Sequence, residues 1–245
     1  MTEQLEYRQG DDAERDLSYV AKNYRTVTDT LHEALKSVGR AEIDTTVMAA
    51  IKSADVEEIR YLVETLGVRD LGENRVQQLM SRYDELKALP ARLHFIGSLQ
   101  TNKVKYIIDK VEMIHSVDSV RLAQEIHKRA KQRGSVMSVL VEINAAREEA
   151  KSGILPEQAE ELCRAILALD GLRLCGFMTM GPVMESDAAY RAYFDGVRHL
   201  GLDLWQRLAL AGEPVFSMGM SNSFVPAIGA GADMVRVGRR LFAHA

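Results

Sequence analysis

Lys52 stands directly behind the apolar run VMAAI (47–51). Far along the chain, VFSMGMSNSFVPAIGAGADMVRVGRRLFA (215–243) places small-residue turns after two further apolar runs. One run stops at Ser217, the other at Gly238, and a helical pattern begins just past each. Backbone N–H groups at the start of a helix lack intrahelical acceptors and attract anions, phosphate above all. A lysine amine condenses with an aldehyde, and a phosphate cup holds a charged tail. The two together are what a Schiff-base cofactor needs. Taken singly, a lysine at the end of a strand is usually solvated surface, and Arg236 by itself reads as a surface ion pair. The elements that carry these residues therefore decide the matter.

Those elements alternate. The spacing of Leu17, Val20, Tyr24, Val27, Leu31, Leu35 and Val38 predicts a long helix over 12–38. After it, strand-like runs at 45–52, 68–72, 92–97, 112–117, 135–144, 172–180, 214–218 and 234–238 are separated by helical stripes. Val76, Leu79, Met80, Tyr83 and Leu86 form one such stripe; Val104, Ile107, Ile108 and Val111 form another. Strict alternation with short connections argues for a parallel sheet with helices outside. Eight such units in a chain of 245 residues close most simply as a (β/α)8 barrel. The expectation is an α/β fold, a (β/α)8 TIM barrel with an extra N-terminal helix packed outside, as one domain over 1–245. No GxGxxG follows the first strand, which argues against an open dinucleotide-binding sheet.

In such barrels the chemistry sits at the C-terminal ends of the strands. The residues there are Lys52, Gly72 to Asn74, Gly97, His115 and Ser116, Asn144, Met178 and Thr179, Ser217 to Ser221, Arg236, Gly238 and Arg239. The formal net charge of −4 argues against a nucleic-acid surface, which is usually strongly basic. Two cysteines, Cys163 and Cys175, make no disulfide framework and lie in apolar patterns as core fillers. His94, His115 and His127 show no shared metal-ligand spacing, so no metal is expected. The polar, acidic start of the chain lacks the signature of a signal peptide, and no apolar run is long enough to span a bilayer. A cytoplasmic protein, a monomer without a membrane partner, is the expectation.

Five ordered segments carry a resemblance: LGENRVQQL (71–79), LHFIGSLQTNK (93–103), EEAKSGI (148–154), GFMTMGP (176–182) and FSMGMSNSFVPAIGAGADMVRVGRRLF (216–242). Together they resemble the pyridoxal phosphate (PLP) homeostasis family, also called the proline synthetase co-transcribed family. Its members are similar to the barrel domain of alanine racemase. Five motifs in family order over about 70% of the chain are far more specific than one glycine pattern. The resemblance implies PLP as the cofactor. The family's AVSKTKP is matched by AAIKSAD (49–55), which makes Lys52 the Schiff-base lysine, with Ile51 in place of serine and Ala54-Asp55 in place of Lys-Pro. Asn74 matches an asparagine near the cofactor ring, Ser221 a phosphate contact, and Gly238 the phosphate-binding glycine. Arg239 stands where the family usually has Thr or Ser, and offers its N–H and guanidinium to the phosphate. Arg236 matches the arginine that faces the pyridine nitrogen, and the 148–153 segment becomes a loop at the barrel mouth.

Two functions follow from this resemblance. The first is a binding protein for intracellular PLP (vitamin B6) homeostasis, holding PLP as a Schiff base without robust turnover and with no catalytic residue of its own. The alternative is a weak PLP-dependent amino-acid racemase. Racemisation needs a base on each face of the substrate. Alanine racemases draw the second, a tyrosine, from a further domain of the partner subunit, and the chain ends too soon after its eighth strand to supply one. Tyr83, Tyr106, Tyr190 and Tyr193 lie in helical patterns and make poor substitutes. The binding protein is the preferred reading.

Overall fold

The structure, a computed structural model, describes residues 15–244. In chain order, α1 spans Ser18–Ser37, followed by β1 (Thr46–Ala50), α2 (Val56–Glu64), β2 (Asp70–Glu73), α3 (Val76–Leu86), β3 (Arg92–Phe95) and α4 (Val104–Ile107). Then come β4 (Met113–Val117), α5 (Val120–Gln132), β5 (Met137–Glu142), α6 (Ala159–Leu167), β6 (Leu172–Met178) and α7 (Asp187–Arg207). The chain finishes with β7 (Val215–Met220), α8 (Phe224–Gly229), β8 (Met234–Val237) and α9 (Arg239–Phe242). The strands pair in sequence order and close into a barrel. At the seam β1 pairs parallel to β8, Met48 opposite Arg236.

Burial on both faces explains why the strands read as continuous apolar runs rather than alternating ones; every residue of β5 is buried. The helices present one apolar stripe each. In α1 the buried set is Val20, Val27, Leu31, Ala34 and Leu35, while Val38 is exposed beyond its end. The predicted 12–14 portion of this helix lies outside the described residues. Asn23 of α1 donates to the carbonyls of Leu241 and Ala243, and Arg40 to those of Ile228 and Ala232. The extra helix is thus tied across α8 and α9 on the outside of the barrel.

Several expected bounds shift. The run 45–52 does not stay extended: β1 ends at Ala50 and Ile51–Ser53 forms a 3-10 turn. Asp55 then caps α2, its side chain accepting from the N–H of Glu58 while Glu58 takes its own N–H. The stripe at 104–111 yields a short α4, preceded by a 3-10 turn at Thr101–Lys103. Met80, counted in the stripe of α3, is exposed; the true face runs through Val76, Leu79, Arg82 and Leu86. Cys163 is fully buried, and burial pushes its thiol up to about 12. Cys175 is only half-buried on β6 and is no core filler.

Candidate functional site

A cavity of about 630 Å³ opens at the C-terminal ends of the strands. It gathers Lys52, Asn74, Ser221, Arg236, Gly238 and Arg239 from four separate stretches of chain. All six residues singled out from the sequence line this one space.

Lys52 sits on the 3-10 turn after β1, exposed at the cavity. The turn is held from below by α3. Gln78 donates to the carbonyl of Lys52 at 2.7 Å, and Arg82 donates to the carbonyls of Ile51 (3.0 Å) and Ala54 (2.9 Å). The same guanidinium pairs with the carboxylate of Glu73, which has no exposure. Glu73 in turn accepts from the N–H groups of Asn74 and Arg75. One buried ion pair therefore fixes both the lysine turn and the asparagine loop. Asn74 itself leaves Oδ1 buried with no hydrogen-bond partner among the described residues. An orphaned acceptor on a cavity wall is costly unless a ligand satisfies it.

The opposite wall is polar and built from backbone. Ser221 is buried and its Oγ accepts from the N–H of Gly238 at 3.3 Å. Gly219 turns the chain here at φ +89°, in the left-handed region glycine favours. The α9 segment that follows Gly238 has only four residues, so this wall offers individual polar groups of a turn rather than the end of a long helix. Arg239 is exposed and lines the cavity.

Arg236 is no surface ion pair: it is 3% exposed. Its Nη1 donates to the carbonyl (2.6 Å) and Oγ (2.7 Å) of Ser217, and its Nη2 to the carbonyl of Thr179 (2.8 Å). Burial lowers its pKa to about 10, opposed by the carboxylate of Glu142, so the guanidinium stays charged at neutral pH. Glu142 is pushed up to about 7, chiefly by burial. Its Oε1 accepts from Ser152 at 2.9 Å, inside the 148–154 loop, which folds against the end of β5 through Ile154.

Sequence reading set aside two tyrosines that the fold brings to this end of the barrel. Tyr190, set aside as a helical residue, reaches the cavity, where its hydroxyl accepts from the N–H of Met184. Tyr193 shares a hydrogen bond with Thr179 at 2.7 Å, beside the carbonyl that holds Arg236. Both lie in α7, whose mouth-facing turn no linear spacing marks. Gly72, placed at the mouth by the sequence, lines the cavity and packs too tightly for a side chain, since a Cβ there would stand 2.8 Å from Ile96 and Met48. His94 and His115, without metal-ligand spacing in sequence, meet each other at 3.1 Å inside the barrel.

Comparison with known proteins bears on what this cavity holds. The family model for the alanine racemase N-terminal domain matches residues 16–245. The chain is 42% identical over 216 residues to the pyridoxal phosphate homeostasis protein of Aquifex aeolicus, covering 88% of this chain and 94% of that one. It is 34% identical to the protein of the same name from Pseudomonas aeruginosa, covering 92% and 96%. The chain belongs to the pyridoxal phosphate homeostasis protein family. Among solved structures of similar proteins, PipY of Synechococcus elongatus with PLP bound superposes with a TM-score of 0.76 at 28% identity, covering 89% of this chain and 100% of that one. Alanine racemase of Clostridium difficile superposes at 0.73 with 20% identity, covering 94% of this chain and 57% of that one, which speaks to fold alone. The family's barrel is thus the closed eight-stranded barrel described above.

Proposed function

We propose that this protein binds pyridoxal 5′-phosphate in the cavity at the barrel mouth and serves intracellular PLP homeostasis, as a single-domain monomer without robust turnover. The observation that carries it is the convergence of Lys52, Asn74, Ser221, Arg236, Gly238 and Arg239 on one cavity. The residues present suit the cofactor: an amine, an orphaned buried acceptor at Asn74, a guanidinium fixed at the cavity wall, and a backbone cup for an anion. When bound, PLP supplies an aldehyde that condenses with an amine and a ring that draws electrons.

Lys52 provides the amine for the Schiff base, on a turn that α3 holds in place. Ser221 and the N–H groups at Gly238 and Arg239 hold the phosphate, with the guanidinium of Arg239 adding charge at the rim. Arg236 faces the pyridine nitrogen. A guanidinium donates hydrogen bonds and accepts none, so it leaves that nitrogen unprotonated and the ring a weak electron sink. This supports binding over carbanion chemistry.

Borohydride reduction of the protein with PLP tests the reading. The cofactor's mass should be fixed on the peptide containing Lys52, and Lys52→Ala should lose the adduct while keeping weaker, phosphate-anchored binding. A label on any other peptide would sink the assignment. The low-turnover part is tested by α-proton exchange of L-alanine in deuterated buffer with chiral analysis. Formation of the D-enantiomer at ordinary enzyme rates, on the order of 1–10³ per second, would overturn it.

A further inference from the structure

The interior of a (β/α)8 barrel is normally filled by layers of bulky apolar side chains. Here a line of polar groups crosses it. Asp70 on β2, His94 on β3, His115 on β4, Ser217 on β7 and Arg236 on β8 are each at most 3% exposed. His94 Nε2 lies 2.9 Å from Asp70 Oδ1, His94 Nδ1 lies 3.1 Å from His115 Nε2, and His115 Nδ1 lies 3.0 Å from Ser217 Oγ. Ser217 Oγ lies 2.7 Å from Arg236 Nη1. Buried polar groups of this kind are costly unless every one is satisfied.

Hydrogen counting gives the line a direction. Arg236 Nη1 only donates, so Ser217 Oγ accepts from it. Asp70 also accepts from Arg92 Nε (2.8 Å) and Nη2 (2.7 Å), and with His94 these partners hold its carboxyl down to about 2 against the cost of burial. It is therefore an acceptor, and His94 Nε2 carries a hydrogen. Burial, reinforced by His94 and then by Arg236, lowers the pKa of His115 well below its ordinary value, so it is neutral with one N–H. One arrangement uses each hydrogen once: Ser217 O–H donates to His115 Nδ1, His115 Nε2–H to His94 Nδ1, and His94 Nε2–H to Asp70. The opposite tautomer of His115 would aim two donors at Ser217 Oγ and displace the hydroxyl hydrogen from its acceptor.

We infer that Ser217 and His115 are positioning residues for Arg236: the Asp70-anchored chain keeps the Ser217 lone pair turned to the guanidinium and so fixes the face Arg236 presents to the cofactor. This rests on the proposed role of Arg236 against the pyridine ring. In this arrangement Ser217 and His115 need touch no ligand.

PLP titrations followed by visible absorption test it, with thermal unfolding of each cofactor-free variant as a check on folding. Ser217→Ala should weaken binding roughly tenfold, the scale of one hydrogen bond to a charged group. Ser217→Thr, which keeps the hydroxyl, should recover most of the loss. Arg236→Gln sets the reference: added to it, Ser217→Ala should cost nothing further, because residues acting through one group are not additive. Full additivity, or normal binding in Ser217→Ala when Arg236→Gln is impaired, overturns the positioning role and leaves that of Arg236 intact. Normal binding in Arg236→Gln itself would show that the ring-facing reading has failed. A separate readout needs neither cofactor nor variant. Nitrogen-15 NMR of the cofactor-free protein should show both His94 and His115 protonated at Nε2, and a His115 protonated at Nδ1 would overturn the chain.

Discussion

Gly238 illustrates how one residue changes meaning between sequence and structure. As the end of MVRVG it suggests room for a phosphate. In the fold its missing Cβ is also what lets β8 close on β1, since a Cβ there would stand 2.8 Å from the carbonyl oxygen of Ala50 and 3.2 Å from its Cβ. Gly238→Val is therefore expected to cost stability by overpacking, about 1–3 kcal/mol, besides losing PLP affinity. Denaturant unfolding of the cofactor-free protein measures the first loss separately from the second. Ser221→Ala makes the contrast. It removes one phosphate contact and the acceptor of the Gly238 N–H, so affinity should fall roughly tenfold with a stability loss of only about 1 kcal/mol. A large melting change with unchanged affinity in Ser221→Ala would place Ser221 outside the cup.

At the scale of elements, the lysine turn hangs from α3. Arg82 occupies a core position of that helix because the carbonyls of Ile51 and Ala54 and the carboxylate of Glu73 satisfy it there. Removing one partner of a buried pair leaves the other charge uncompensated, typically at about 3–5 kcal/mol. Arg82→Leu should show a loss of that size in urea unfolding. It should also slow borohydride-trappable adduct formation at Lys52, by releasing the turn. Retained stability would mean that Glu73 finds another donor. The stripe 76, 79, 80, 83, 86 was legible in the sequence, yet it assigned Met80 inward and passed over Arg82. Helical spacing reports a face only where apolar residues mark it, and here a guanidinium holds part of that face. At the other end of the same turn, Asp55 in place of the family's proline is no loss to the scaffold, because it caps α2.

At the scale of the whole molecule, pH should act through Glu142. Its folded pKa, raised to about 7 by burial, exceeds that of an exposed glutamate, about 4.3. The folded state then binds the extra proton between these values, so stability is full below about 4 and declines as pH rises through about 7. The decline can reach about 4 kcal/mol. Glu142→Gln should flatten the stability profile across that window and raise stability at pH 8, as read by thermal melts at a series of pH values. A profile identical to that of the parent protein would mean that water reaches the carboxylate.

Barrel closure likewise separates what was legible from what was not. The order of strands and helices was fixed by composition along the chain: β-branched and apolar runs must bury both faces, and glycines and caps end the helices. Two of the five motifs hold Asn74, Ser221, Arg236, Gly238 and Arg239, and the stretch AAIKSAD holds Lys52; these six were legible because each lies in or beside a turn that follows an apolar run. The polar line from Asp70 to Arg236, the Arg82–Glu73 pair and the approach of Tyr190 to the cavity belong to tertiary structure alone. Local pattern shows which way a side chain points relative to its own strand or helix. Which polar group it meets across the barrel depends on the register and tilt of strands far apart in sequence, and those are set only when β8 pairs with β1.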